Sequence, residues 1–285
     1  MIHTLNPSIA GGNTLEEGAE RAARHGFGGI ELPVGQAHER AQKDGLEAVA
    51  DIYRAQGVVT PVFGLSVEWR KDEEAFTSSL KELDGFARTA AALGANRCAT
   101  WVLPNGGVPV QEYRANSVRR LAAAAKIFNN HGISLGLEFI GPRHFRTDPS
   151  NVWFYDIAGA LQACDEIAAV AKADNLGLLV DCFHWFNIEG STMDLAAIPV
   201  EQIVHVHIND APNVALDEQR DNVRFLPGAT GAIDITGFLK TLAAIGYEGP
   251  VSTEVLGTAL DGLSPDEKAA QTIEAQKKVF ATASL

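Results

Sequence analysis

The chain has 285 residues, 46% of them hydrophobic and 21% charged, which is the composition of a protein that buries a full-sized core and not of a disordered one. Its 23 Lys and Arg stand against 36 Asp and Glu, and a net charge of −13 is repelled by phosphate backbones and anionic lipid, so nucleic acid and membranes are not expected partners. Cys98, Cys164 and Cys182 form no C-x-x-C pair and read as free thiols of a reducing compartment. The N-terminus lacks the basic and apolar regions of a signal peptide, and no stretch approaches roughly 18 apolar residues, so the cytoplasm is the expected location.

Short apolar, β-rich runs bounded by Gly, Pro and Asn alternate with Ala-rich segments of helical spacing, the pattern of βα units around a parallel sheet. The first strand covers 2–5 and its helix opens at Asn13 or Thr14, carries Glu16 and Glu17 in the first turn, and closes near Gly26. A second strand over 29–32 precedes a helix over 44–56 with Gly57 as its stop, and a third over 58–63 precedes a helix over 73–93 ended by Gly94. The fourth unit pairs a strand over 97–103 with a helix over 110–130. The fifth strand, 133–139, is separated from its helix, 155–173, by a loop rich in Pro, Arg and aromatic residues. A sixth strand, 176–181, leads to a short helix near 194–198. The seventh, 203–208, is followed by a long polar loop and a helix over 235–245, and the eighth, 251–255, by a helix over 266–281.

The count is eight strands, each followed by a helix, with no linker, low-complexity tract or shift of composition. The expected fold is α/β, a single (β/α)8 TIM barrel occupying residues 1–285 as one domain; a doubly wound open sheet is the alternative.

Barrels of this kind work at the C-terminal ends of their strands, so a charged residue closing an apolar strand is informative there. Strand five ends in Glu138, strand six in Asp181, strand seven in His207 and strand eight in Glu254. One such carboxylate alone is more often a helix cap or an ion-pair partner. Four in phase on neighbouring strands would each be an ionisable group beside a dry core, which is costly unless paired or coordinated. The set points to one divalent metal ion. Its oxygen-rich donors with one imidazole suit Mn²⁺ first, then Mg²⁺ or Co²⁺, and Zn²⁺ stays open. His205 shares a face with His207 one layer deeper and reads as a hydrogen-bonded core or supporting histidine. His184, three residues after Asp181, is placed to touch a bound substrate or relay a proton. Trp101, Phe183, Trp185 and Phe186 lie at strand ends and are candidates to wall a pocket. Arg143, His144 and Arg146 form a basic cluster after Glu138, suited to a polyhydroxyl or anionic group or to solvent.

These residues carry a resemblance. LGLEFIGP around Glu138, DCFH from Asp181 to His184, HVHIND around His207, RFLPG from Arg224 and STEV around Glu254 resemble the xylose isomerase-like barrels that include sugar phosphate isomerases and epimerases. The resemblance spans nearly the whole chain and is strongest in its C-terminal half. It implies a single metal held by Glu138, Asp181, His207 and Glu254, with the two glutamates acting as acid and base on opposite faces of a ketose, and His184 contacting substrate. Ketose 3-epimerases of this family place a substrate-binding glutamate where this chain has His144, and an arginine where it has Asn213; Arg224 is a candidate replacement for that arginine. The family's three-metal DNA-repair endonucleases need further histidines on strands three and four, which this chain lacks.

A metal bridging a carbonyl and its neighbouring hydroxyl eases removal of the C–H proton between them by stabilising an enediolate. Return of the proton to the other face gives epimerisation, and return to the next carbon gives aldose–ketose isomerisation. The expected function is a metal-dependent isomerase or epimerase of a sugar, sugar phosphate or keto-polyol, with Glu138, Glu254 and His184 catalytic and His184, Arg224, Arg143, His144 and Trp101 binding substrate. Loss of a β-hydroxyl would instead make it a lyase, such as an inosose or dehydroshikimate-type dehydratase or a β-eliminating enzyme of 3-keto-glycosides. A non-catalytic sugar-binding barrel is a third reading, and homo-oligomer formation stays open.

Overall fold

In the computed structural model, which describes residues 1–285, eight strands run parallel: β1 (Ile2–Leu5), β2 (Gly29–Ile30), β3 (Val62–Gly64), β4 (Arg97–Val102), β5 (Ser134–Phe139), β6 (Leu176–Asp181), β7 (Ile203–Ile208) and β8 (Pro250–Thr253). Their order is β2-β1-β8-β7-β6-β5-β4-β3. The two end strands meet through a bridge between Gly29 and Val59 and through hydrogen bonds from Ile30 N to Val59 O (2.9 Å) and Leu32 N to Val62 O (2.8 Å), which closes the sheet into a (β/α)8 barrel.

The helices, in chain order, are α1 (Pro7–Ala10), α2 (Leu15–His25), α3 (Val34–Asp44), α4 (Leu46–Gln56), α5 (Glu73–Ala92), α6 (Val110–Asn129), α7 (Ile157–Ala171), α8 (Cys182–Asn187), α9 (Thr192–Ala196), α10 (Ile235–Ala244) and α11 (Pro265–Ala283). Their starts are chemically marked. Thr14 accepts from Glu17 N, Asp72 from Ala75 N and Asp156 from Gly159 N, while Ser264 and Glu267 form a capping box at α11. No helix is long and apolar enough to cross a membrane. All three cysteines are buried free thiols.

Several boundaries depart from the sequence pattern. The helix expected over 44–56 is α4, and a further helix that the pattern did not show, α3, precedes it, the two being separated by Gly45 at φ 90°. The third strand narrows from 58–63 to Val62–Gly64, since Pro61 has no N–H to give a ladder. Regular β2 ends at Ile30 instead of 32. After Asp181 the chain turns at once into α8, where no helix was expected, with the Asp181 carboxylate accepting from Phe183 N as its cap.

Register does the positioning. Leu178 pairs with Ile203 but Leu179 pairs with His205, a bulge that skips Val204 and brings Asp181 beside His207. A side chain at Gly177 would meet Gln202 O at 2.2 Å, so this approach of β6 to β7 requires glycine. His207 in turn pairs with Ser252, and Glu254 N continues that ladder to Ile208 O at 3.2 Å.

Candidate metal centre

The ends of β5, β6, β7 and β8 bring Glu138, Asp181, His207 and Glu254 together, with one ligand atom of each within 4.8 Å of all the others. Glu138, Asp181 and His207 are buried, and the Glu254 side chain keeps 21% of its exposure, so the cluster opens toward solvent past Glu254. His207 aims Nδ1 at this cluster, 3.8 Å from Asp181 Oδ2 and 3.7 Å from Glu254 Oε2. Asp181 is held from behind: Oδ1 accepts from Phe183 N at 2.6 Å, and Asn209 Nδ2 lies 3.2 Å from both oxygens.

Arg224 is buried at the centre. Its Nη1 donates to Asp181 Oδ2 (2.8 Å) and Glu254 Oε2 (2.7 Å), its Nη2 to Asp221 Oδ1 (2.6 Å), and the guanidinium stacks 4.7 Å from the Phe183 ring. The long loop after β7 that delivers it is pinned by Asp210, whose carboxylate accepts from the backbone N–H groups of Thr230, Gly231 and Ile233. His184 is fully buried. Its Nδ1 lies 3.3 Å from Gly141 N, and its Nε2 lies 3.3 Å from Arg224 Nη2, 3.5 Å from Glu138 Oε1 and 3.7 Å from Asp221 Oδ1. A Cβ at Gly141 would meet His184 O at 2.4 Å, so glycine is what allows this contact.

The electrostatics follow from burial and from an excess of carboxylates. Burial, then the Glu254 charge, pushes Glu138 well above the usual carboxylate range. Burial would raise Glu254 too, but the charges of His207 and Arg224 win and hold it at about 2. His207 is raised well above its ordinary value, because Glu254 and Glu31 outweigh burial. His184 is lowered by burial and then by Arg224, which keeps it neutral.

These groups fit a divalent cation. Glu138 Oε1 and His207 Nδ1 are buried without a hydrogen-bond partner and face the cluster, and three carboxylates are offset there by one guanidinium. An oxygen-rich set with one imidazole is the donor chemistry of a hard or borderline ion.

The remaining candidates lie further out. Arg143 is tied to Asp217 (2.6 Å) and Glu189 (2.9 Å), so its cation is already matched. His144 packs against the Phe145 ring at 4.1 Å, and Arg146 stacks 4.0 Å from the Tyr155 ring. Trp101 is level with Glu138 on the adjoining strand, 43% exposed, with the Arg70 guanidinium 3.4 Å from its ring; both line a cleft of about 480 Å³ that contains none of the four converging residues. Phe183 lies under Arg224, whereas Trp185 packs into the core against Phe238. Two residues at the site were not marked by the sequence reading. Asp221 lies in a polar loop with nothing in its spacing to single it out. Glu31 closes the second strand, and its Oε1 stands 3.3 Å from His205 Nε2 and 3.6 Å from His207 Nε2; the strand-end rule that found the other four would have found it.

A closed barrel with such a cluster at its mouth defines a class, and the sequence profile of the xylose isomerase-like TIM barrel family matches residues 19–279: the chain belongs to that family. It is 28% identical to the inosose isomerase of Bacillus licheniformis over 198 residues, 69% of this chain and 67% of that protein. It is 34% identical to the 3-dehydroshikimate dehydratase of Pseudomonas aeruginosa over 143 residues, 50% of this chain but only 20% of that protein. The structure of a xylose isomerase domain protein from Alicyclobacillus acidocaldarius superposes with a TM-score of 0.87 at 29% identity, covering 100% of both chains.

Proposed function

We propose that the protein is a divalent-metal-dependent isomerase or epimerase of a small keto-sugar or cyclic keto-polyol, working by proton transfer next to a carbonyl. The observation that carries this reading is the convergence of two glutamates from different strands, Glu138 and Glu254, with Asp181 and His207 within 4.8 Å. A purely binding site has no use for two ionisable carboxylates on either side of one point. A cation held by the four residues would supply Lewis-acid stabilisation of the negative charge that develops on the carbonyl oxygen. Mn²⁺ is the ion we favour for these donors.

The chain's own groups do the rest. Glu254, kept ionised by Arg224, takes or returns the proton on one face of the substrate carbon, and Glu138 serves the other. The neutral His184 presents Nε2 to a substrate hydroxyl near Glu138. Arg224 fixes the orientation of Asp181 and Glu254 and contacts the substrate hydroxyl that enters between them. The match to inosose isomerases over two thirds of each chain supports a cyclic polyol ketone as substrate.

The partial match to a dehydratase supports a second reading, in which the same proton removal is followed by loss of a β-hydroxyl. Incubation of metal-loaded protein with inososes, ketoses and dehydroshikimate in D2O separates the two. The proposal expects deuterium beside the carbonyl without loss of water, slowed about 10²–10⁴-fold in E254Q while the metal stays bound. Water loss would favour the dehydratase, and an E254Q variant with full exchange would sink the acid/base assignment.

A further inference from the structure

Glu31 and His205 have no part in the reading above, yet with His207 they form a second ionisable cluster, its histidines buried, on the far side of that ring. Because β2 ends at Ile30, Glu31 emerges at the barrel mouth and reaches toward β7, where His205 and His207 lie on one face. Both imidazoles present Nε2 to the same oxygen, Glu31 Oε1, at 3.3 Å and 3.6 Å, and their rings meet edge to face at 4.7 Å. On the other side of its ring, His207 Nδ1 faces Asp181 and Glu254.

A neutral imidazole carries one N–H, and its place decides what His207 can do. With the proton on Nδ1, the N–H would face the Asp181 and Glu254 carboxylates and leave no lone pair for an ion, while the Nε2 lone pair faced the Glu31 carboxylate unfavourably. With the proton on Nε2, the N–H faces Glu31 Oε1 and the Nδ1 lone pair faces the cluster. His205 Nε2, already within reach of Oε1, holds the Glu31 carboxylate in place from the side away from the ion. A separation of 3.6 Å exceeds a good hydrogen bond, and a small rotation of the ring would close it.

We infer that Glu31 is a positioning residue that fixes His207 in the Nε2–H tautomer and so makes Nδ1 a metal ligand, with His205 steadying the carboxylate. The inference rests on the metal reading proposed above. It is preferred to a second cation at Glu31, His205 and His207, because that ion would take the Nε2 lone pair while the first took Nδ1, and His207 would have to lose its N–H altogether.

The test compares wild type, E31Q and E31L, each checked for folding by circular dichroism, by calorimetric titration of the apoprotein with Zn²⁺ and by proton–nitrogen correlation spectra of the Zn²⁺-loaded histidines. Wild type should bind one ion per chain and show a protonated Nε2 at His207. E31L should bind roughly 10–100-fold more weakly and lose the single-tautomer signature, and E31Q, whose amide oxygen still accepts, should recover most of both. Equal affinity and an unchanged tautomer in E31L would overturn the role of Glu31 while leaving the metal site intact. Two ions in wild type falling to one in E31L would replace it with a second cation site. No ion in wild type would sink the metal reading and this inference with it.

Discussion

The two halves of the barrel end their strands differently. β5, β6 and β7 have six residues each and are paired along most of their length, and with β8 they present Glu138, Asp181, His207 and Glu254. In the other half β2 and β3 have two and three residues, only the isolated bridge between Gly29 and Val59 and a few hydrogen bonds close the seam beside them, and their end of the barrel contributes Glu31. Fixed convergence of four side chains needs backbone held on both flanks; a supporting carboxylate tolerates less. The bulge between β6 and β7 belongs to the same logic, since it spends regularity of the ladder to set Asp181 beside His207.

The comparison can be broken most forcefully at Arg224. Arg224→Met leaves Asp181 and Glu254 buried without their cation, and the ion-free protein should lose about 3–5 kcal/mol in urea unfolding. A saturating divalent cation should restore much of that, because it supplies the missing charge; no loss in the ion-free variant would contradict the charge account. A smaller effect is expected from pH. Glu138, raised by burial, and His207, raised by Glu254 and Glu31 against burial, both hold protons at pH values where the free side chains release them. An incoming ion must displace those protons, so affinity should fall as pH drops, by up to about tenfold per unit for each competing proton. Calorimetric titrations at several pH values would show it, and a flat profile would argue against both residues as ligands. The smallest effect concerns order within the fold: backbone amides of β5 to β7 should exchange with D2O more slowly than those of β2 and β3. Equal protection would remove the contrast between the halves.

Much of this was legible in the sequence, and the exceptions have physical causes. Eight βα units and the four strand-ending residues follow from apolar runs broken by charge at one end only. The α3 helix was missed because Pro33, Gly35 and Gly45 make its segment look like a loop, although proline and glycine here stand at its edges and first turn. The α8 helix was missed because CFHWFN is apolar and aromatic, and only the Asp181 carboxylate turning back to Phe183 N reveals a cap. Glu31 was passed over because the expected strand 29–32, Gly-Ile-Glu-Leu, has only two apolar residues and does not read as an apolar run closed by charge, although Glu31 is penultimate in it just as Glu138, His207 and Glu254 are in theirs. Arg224 entered only through a family resemblance; its contacts with Asp181 and Glu254 arise from a loop of irregular structure that no period describes.

The central claim is that the four converging residues hold one divalent ion. Elemental analysis of purified protein, chelated and then reconstituted with Mn²⁺ or Zn²⁺, tests it most directly when wild type is set beside H207N and H205N. The account predicts about one ion per chain in wild type, its loss in H207N, and near-wild-type occupancy in H205N. No ion in wild type under any reconstitution would contradict it and leave the cluster a polar network, and equal loss in both variants would show that the wrong histidine had been assigned as the ligand.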